Sequence, residues 1–270
     1  MNGFLHTARI EWMKVKNYRT FWILLGIIIV CIPAFNYVIF DVTNNTFPKV
    51  NGKNLLGNPF SFPNVWKTVP YNAGLLLFIP AILIITLLTN EFSYRTHRQN
   101  IIDGWSRGTF ISIKLWETVL LSLFVTGIVF FTCLYFGFHT REPGTAGPGW
   151  EQFRFVVFFF VELLSYSMIA VIFAMMIRRA GLAMGIFFLY MIVEQFVVSL
   201  GRNKYKVDWV DYLPEEVTDR LIPQPFAPRM LTPDHMNTWE KHVPVYLSLA
   251  VIYLLIYILF VSWRFYKSDL

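Results

Sequence analysis

Charge is scarce in this chain. Asp, Glu, Lys and Arg make up 15% of its 270 residues, where a water-soluble domain carries about 25%, so an ordinary soluble fold is a poor expectation. Cysteine is nearly absent. Cys31 and Cys133 are the only two, and both fall inside apolar runs, which excludes a disulfide scaffold and leaves them as small packing residues. No Gly-x-x-x-x-Gly-Lys-Ser/Thr loop is present, and no cytoplasmic region is large enough for a nucleotide-binding domain, so the chain is not expected to be an ATPase. His6, His97, His139, His235 and His242 show no HExxH or paired-ligand spacing, and the lone Asp234-His235 pair carries no site. Gly-x-Ser-x-Gly and a Gly-x-x-x-Asp-type pairing are missing as well, which removes intramembrane proteolysis and acyl transfer. No internal duplication is visible.

What fills the chain instead is apolar: hydrophobic residues reach 56% and the mean hydropathy is +0.50. Crossing about 30 Å of hydrocarbon takes about 20 residues of helix. Six segments meet that length: Thr20 to Phe40, Tyr71 to Thr89, Leu115 to Phe138, Phe153 to Ile177, Gly181 to Leu200 and Val245 to Trp263. The expected fold is a single all-α polytopic transmembrane domain over 1–270. The first segment is read as a retained span, because a polar stretch precedes it and no small-x-small cleavage site follows. Pro33 and Pro80 lie within spans and predict kinks. An even number of spans puts both termini on one side. That side carries twelve Lys or Arg against four carboxylates, whereas the other carries eleven against ten in longer loops. Short basic loops resist translocation, so both termini are expected in the cytoplasm. The basic pI of about 9.3 then describes a membrane surface that meets anionic lipid, not a nucleic-acid binder.

Residues 1–19 place Leu5, Ala8, Trp12 and Val15 on one helical stripe, with Arg9 and Lys16 elsewhere on the wheel. The stripe reads either as an interfacial amphipathic helix or as a basic leader that only sets topology. The connection over 90–114 runs to roughly twenty-five residues, whereas a turn between spans needs about 2–8. Asn90 is expected to cap a first short helix with Glu91 in its first turn, Asp103-Gly104 to close it, and Ser106 to start the next. Outside, residues 41–70 with Asn44-Asn45 and Asn51-Gly52 read as an extended or hairpin-like excursion. Residues 139–152 read as a Gly- and Pro-rich linker. In the loop 201–244 the density of proline, from Pro214 to Pro233, predicts no long helix.

Glu91 soon after the second span, Thr96 a few residues on, then Ser106-Arg107, Phe110 and Lys114 entering the third span form a recognisable series. At these positions the chain resembles the membrane subunit of an ATP-binding-cassette exporter of the ABC-2 type, with Arg95 where the family has Gly and Ile101-Ile102 where it has Leu-Leu. Six spans, an amphipathic leader and a long loop before the last span extend the likeness over nearly the whole chain. The resemblance implies an interface helix at the N-terminus and a coupling helix over 91–104 seated in a separate ATPase subunit. Glu91, Tyr94, Arg95, Thr96, Arg98, Ser106 and Arg107 are then the coupling residues; the three arginines are equally explained by topology. It further implies no cofactor in this chain, ATP and Mg on two partner ATPase copies, and a second permease half, identical or a paralogue. Its setting would be a bacterial inner or plasma membrane.

Three carboxylates fall inside spans, where a charge costs about 2.5–3.5 kcal/mol even on the lenient insertion scale. Glu117 lies a turn beyond Lys114 and reads as a near-interface ion pair or a coupling contact, with substrate recognition as the alternative. Glu162 and Glu194 lie in the outer halves of spans four and five. Either they lock helices through Ser165, Tyr166, Ser167 or Gln195, or they line a transport path. In the family such permeases carry a re-entrant-type segment before the last span. By that likeness Trp209, Tyr212 and Leu213, with Leu221 and Ile222, form an external gate; by residue type alone they are interfacial anchors. The expected function is therefore the permease of an ATP-driven exporter. The competing expectation is an ATPase-independent carrier, channel or anchoring subunit. The substrate is not encoded in any motif.

Overall fold

A computed structural model describes residues 2–46, 49–50, 53–54, 58–94, 96, 99, 102, 104–141, 147, 149–226 and 233–267. Its elements are α1 (Asn2–Lys16), α2 (Arg19–Thr46), the paired strands β1 (Lys49–Val50) and β2 (Lys53–Asn54), α3 (Val65–Gly74), α4 (Phe78–Ser93), α5 (Arg107–His139), α6 (Arg154–Ile177), α7 (Ala180–Leu200), α8 (Pro214–Asp219) and α9 (Pro233–Lys267). Five of the helices are long and apolar enough to cross a membrane, and the bent pair α3–α4 makes a sixth crossing if it is one span. The chain is a predominantly α-helical, multi-pass membrane protein.

Helix α6 is the axis of the bundle. It packs against α3, α4, α5, α7, α8 and α9, and 72% of its most apolar stretch is buried within the protein, against 22% for α2, α7 and α9. Small residues let the neighbours come close: Ala170 and Ala174 on α6 and Ala183 on α7 are fully buried. The outer helices turn large apolar side chains such as Val30, Phe131, Ile192 and Leu259 outward. In water such a surface would aggregate, whereas in lipid it is the ordinary solvent-facing side.

The second crossing departs from the expected kink at Pro80. The helix breaks at Leu75–Leu77, where the backbone tightens to i→i+3 bonds, Leu76 N donating to Ala73 O at 2.9 Å and Ile79 N to Leu76 O at 3.0 Å. The two halves meet at 49°. Pro80 then falls in the first turn of α4, where its missing N–H leaves no bond unmade. The break is held from outside by a buried amide pair: Asn72 Nδ2 donates to Asn36 Oδ1 at 3.0 Å, and Asn36 Nδ2 to Ile32 O at 3.0 Å, tying α3 to α2.

Other boundaries also move. Residues 41–46 continue α2, the hairpin is confined to β1 and β2, and residues 65–70 already belong to α3. Phe60 and Trp66 of that stretch are core residues, with Phe60 5.2 Å from Phe136 and 5.4 Å from Phe40. The last helix begins at Pro233, well before Val245, and runs through Pro244. Proline at a helix start is compatible with its fixed φ, so the proline-rich loop was shorter than its composition implied.

Candidate functional site

Two polar assemblies interrupt the apolar bundle, one at each end of α6. The first is built around Lys114, in the second turn after the start of α5. Ser106 caps that helix as expected, its Oγ accepting from Thr109 N at 3.0 Å. Lys114 Nζ donates to Glu11 Oε2 at 2.6 Å, to Glu117 Oε2 at 2.9 Å and to Glu91 Oε1. Lys14 Nζ joins from α1, 2.6 Å from Glu11 Oε1. Three carboxylates from three helices thus converge on one ammonium. Burial opposes ionisation of Glu11, but Lys114 and Lys14 outweigh it and hold the carboxyl down to about 2.

Asn90 does not cap a new helix. Helix α4 continues through it to Ser93, because Thr89 Oγ1 and Ser93 Oγ turn back onto Ile85 O and Thr89 O and leave the backbone ladder intact. Glu91 is consequently in the last turn of α4, buried, facing Lys114. Tyr94 and Ile102, by contrast, are 74% and 77% exposed. Thr96 Oγ1 reaches Glu91 O at 3.4 Å. Arg95, Arg98 and Asp103 lie outside the described residues. Arg107 Nη1 donates to Tyr266 O at 2.6 Å, and Phe110 stacks on Phe265 at 4.9 Å, so the start of α5 is fastened to the end of α9. On α1, Thr7 and Glu11 face inward while Trp12 is 54% exposed. Trp12 sits 6.4 Å from Trp22.

The second assembly is acidic and encloses a cavity of about 440 Å³ between α3, α6, α7 and α8. Glu162, Glu215 and Asp219 line it with Tyr71, Tyr166 and Gln195. Glu194 stands behind them, its Oε1 accepting from Glu215 N at 2.6 Å and Glu216 N at 3.1 Å. A carboxylate buried within the bundle therefore supplies the N-terminal cap that α8, which opens on Pro214, cannot provide itself. Tyr166 Oη and Gln195 Nε2 both donate to Asp219, at 2.9 and 3.2 Å, and not to the two span glutamates as the sequence allowed. Burial, with the charges of Glu194 and Asp219 added, pushes Glu215 up to about 9. Burial likewise raises Asp219 to about 7 against the pull of Tyr166.

Beyond the cavity Arg220 Nε bonds Glu216 at 2.7 Å and its Nη1 bonds Tyr246 Oη at 2.8 Å, while Arg202 bonds Asp211 at 3.0 Å. Of the expected gate, Trp209 and Tyr212 are 58% and 46% exposed, Leu213 is half-buried, and Tyr253 Oη donates to Tyr212 O at 2.7 Å. Leu221 and Ile222 differ from these three. They are buried in the core, because the turn after α8 folds under Trp239, whose Nε1 donates to Arg220 O at 2.8 Å.

Sequence reasoning passed over Glu11, Glu215 and Asp219 as site residues. For the last two a signal existed: Pro214 opening a short helix with acids at 215 and 219 sets both carboxylates on one face. Among the described residues no group of three His, Cys, Asp or Glu can hold a metal ion. The chain matches no protein-family model and no curated protein.

Proposed function

We propose that the chain is the permease half of an ATP-driven exporter, with its motor on a separate polypeptide. The observation that carries this reading is the Lys114 cluster: one buried ammonium joins the leader helix, the end of α4 and the start of α5. Force applied to the segment between α4 and α5 would reach both helices and the leader as one unit, because buried ion pairs resist separation. The exposed Tyr94 and Ile102 supply a surface for a partner, and the series Glu91, Thr96, Ser106-Arg107, Phe110, Lys114 supports the ABC-2 likeness. On this reading α1 is the interface helix with Trp12 toward the headgroups, residues 91–104 are the coupling segment, and both termini are cytoplasmic. Two ATPases holding ATP and Mg and a second permease half complete the transporter.

The test is purification of the tagged chain from its native membrane. A co-purifying subunit with Walker motifs, at about one per chain, is expected. Tyr94→Arg should release that subunit while leaving the thermal stability of the permease unchanged. Recovery of the chain without an ATPase, or an ATPase indifferent to Tyr94→Arg and to deletion of residues 92–99, would discard the reading.

A further inference from the structure

We propose that the acidic cavity between α3, α6, α7 and α8 binds an organic cation, an amine or quaternary ammonium carried on an apolar body. Its place on a transport path rests on the exporter reading; binding itself does not.

Glu215 carries the inference. It is fully buried and lines the cavity, and among the described residues neither of its carboxylate oxygens has a hydrogen-bond partner. A buried acid without donors is an expensive feature unless something arrives to satisfy it. Its neighbours are spoken for: Glu194 is engaged by the α8 backbone, and Asp219 by Tyr166 and Gln195. No Lys, Arg or His lines the cavity among the described residues. The guanidinium groups of Arg202 and Arg220 are held by Asp211 and Glu216.

Room is also provided for the second acid. A Cβ at Gly74 would stand 2.9 Å from Glu162 Oε1, so the glycine at the helix break lets that carboxylate occupy its position. Among the described residues no group of three His, Cys, Asp or Glu is arranged to hold a metal ion, and hard cations need several oxygens at about 2.0–2.6 Å. A volume of about 440 Å³ falls instead in the range of roughly 300–1,000 Å³ that holds drug-sized molecules. Tyr71 and Tyr166 add aromatic rings of the kind that attract cations to the lining, while Leu75, Met191 and Ile222 offer an apolar wall.

The test is fluorescence titration of ethidium into the purified full-length chain in an uncharged detergent. Saturable binding at one site is expected, competed by tetraphenylphosphonium but not by uncharged triphenylphosphine oxide. At about pH 9, where Glu215 ionises, Glu215→Gln and Glu162→Gln should each weaken it at least tenfold. Gly74→Ala removes no acid but displaces Glu162, and should weaken it severalfold, which keeps the test decisive if either Gln variant fails to fold. Equal affinity in all variants, equal displacement by the neutral competitor, or no saturable binding would overturn the proposal. Binding without an associated ATPase would retain the site and remove the exporter; an ATPase coupled through Tyr94 without ethidium binding would do the reverse.

Discussion

The Lys114 end and the α8 end of the bundle bury similar numbers of carboxylates in opposite ways. Around Lys114, Glu11, Glu91 and Glu117 share the ammonium groups of Lys114 and Lys14 from the same chain. In the cavity, Glu162, Glu215 and Asp219 have no cation among the described lining residues, and the donors Tyr166 and Gln195 both go to Asp219. The first arrangement is paired within the chain. The second is left incomplete, as expected of a place where something binds.

The largest effect should come from removing the paired centre. Lys114→Met takes the shared ammonium from Glu11, Glu91 and Glu117 and leaves only Lys14 beside Glu11, and breaking a buried pair in this way costs about 3–5 kcal/mol. Thermal unfolding of the detergent-solubilised chain should fall sharply or the chain should fail to accumulate, with Lys114→Arg partly rescuing it. An unchanged midpoint would mean that the two ends do not differ as described.

A second contrast is in pH. Glu215 is raised from 4.5 to about 9 on folding, so the folded state holds its proton more tightly. The stability this contributes is complete below about 4.5 and drains away as pH climbs to about 9. Glu11 is lowered from 4.5 to about 2, so its contribution is present above about 4.5 and is lost as pH falls toward 2. Alkaline titration of thermal stability should therefore be flattened by Glu215→Gln, and acid titration by Glu11→Gln. Identical profiles for both variants would erase the distinction. The smallest effect is expected away from both ends: Asn72→Ala removes the interhelical amide bond to Asn36, worth about 0.6–2 kcal/mol in a membrane, and should lower the unfolding midpoint by a few degrees.

The apolar runs, the Ser106 cap and the helical pattern of the spans were legible from the residues, because each depends on neighbours within a turn or two. The break at Leu75–Leu77 was misplaced onto Pro80, since proline at a helix start and proline at a kink look alike in one dimension. Glu117 beside Lys114 was readable as a local pair. Glu11 was not, because it lies 103 residues from Lys114.

What the sequence by itself determined is the solvent: too little charge and too many apolar runs for water, hence helices whose backbone bonds are satisfied internally. Only the tertiary structure decided which acids meet lysines and which line a cavity. Hydropathy and helical period act through adjacent residues, whereas the pairing of Lys114 with α1 and the meeting of Glu162 with Glu215 require separate helices to be brought together.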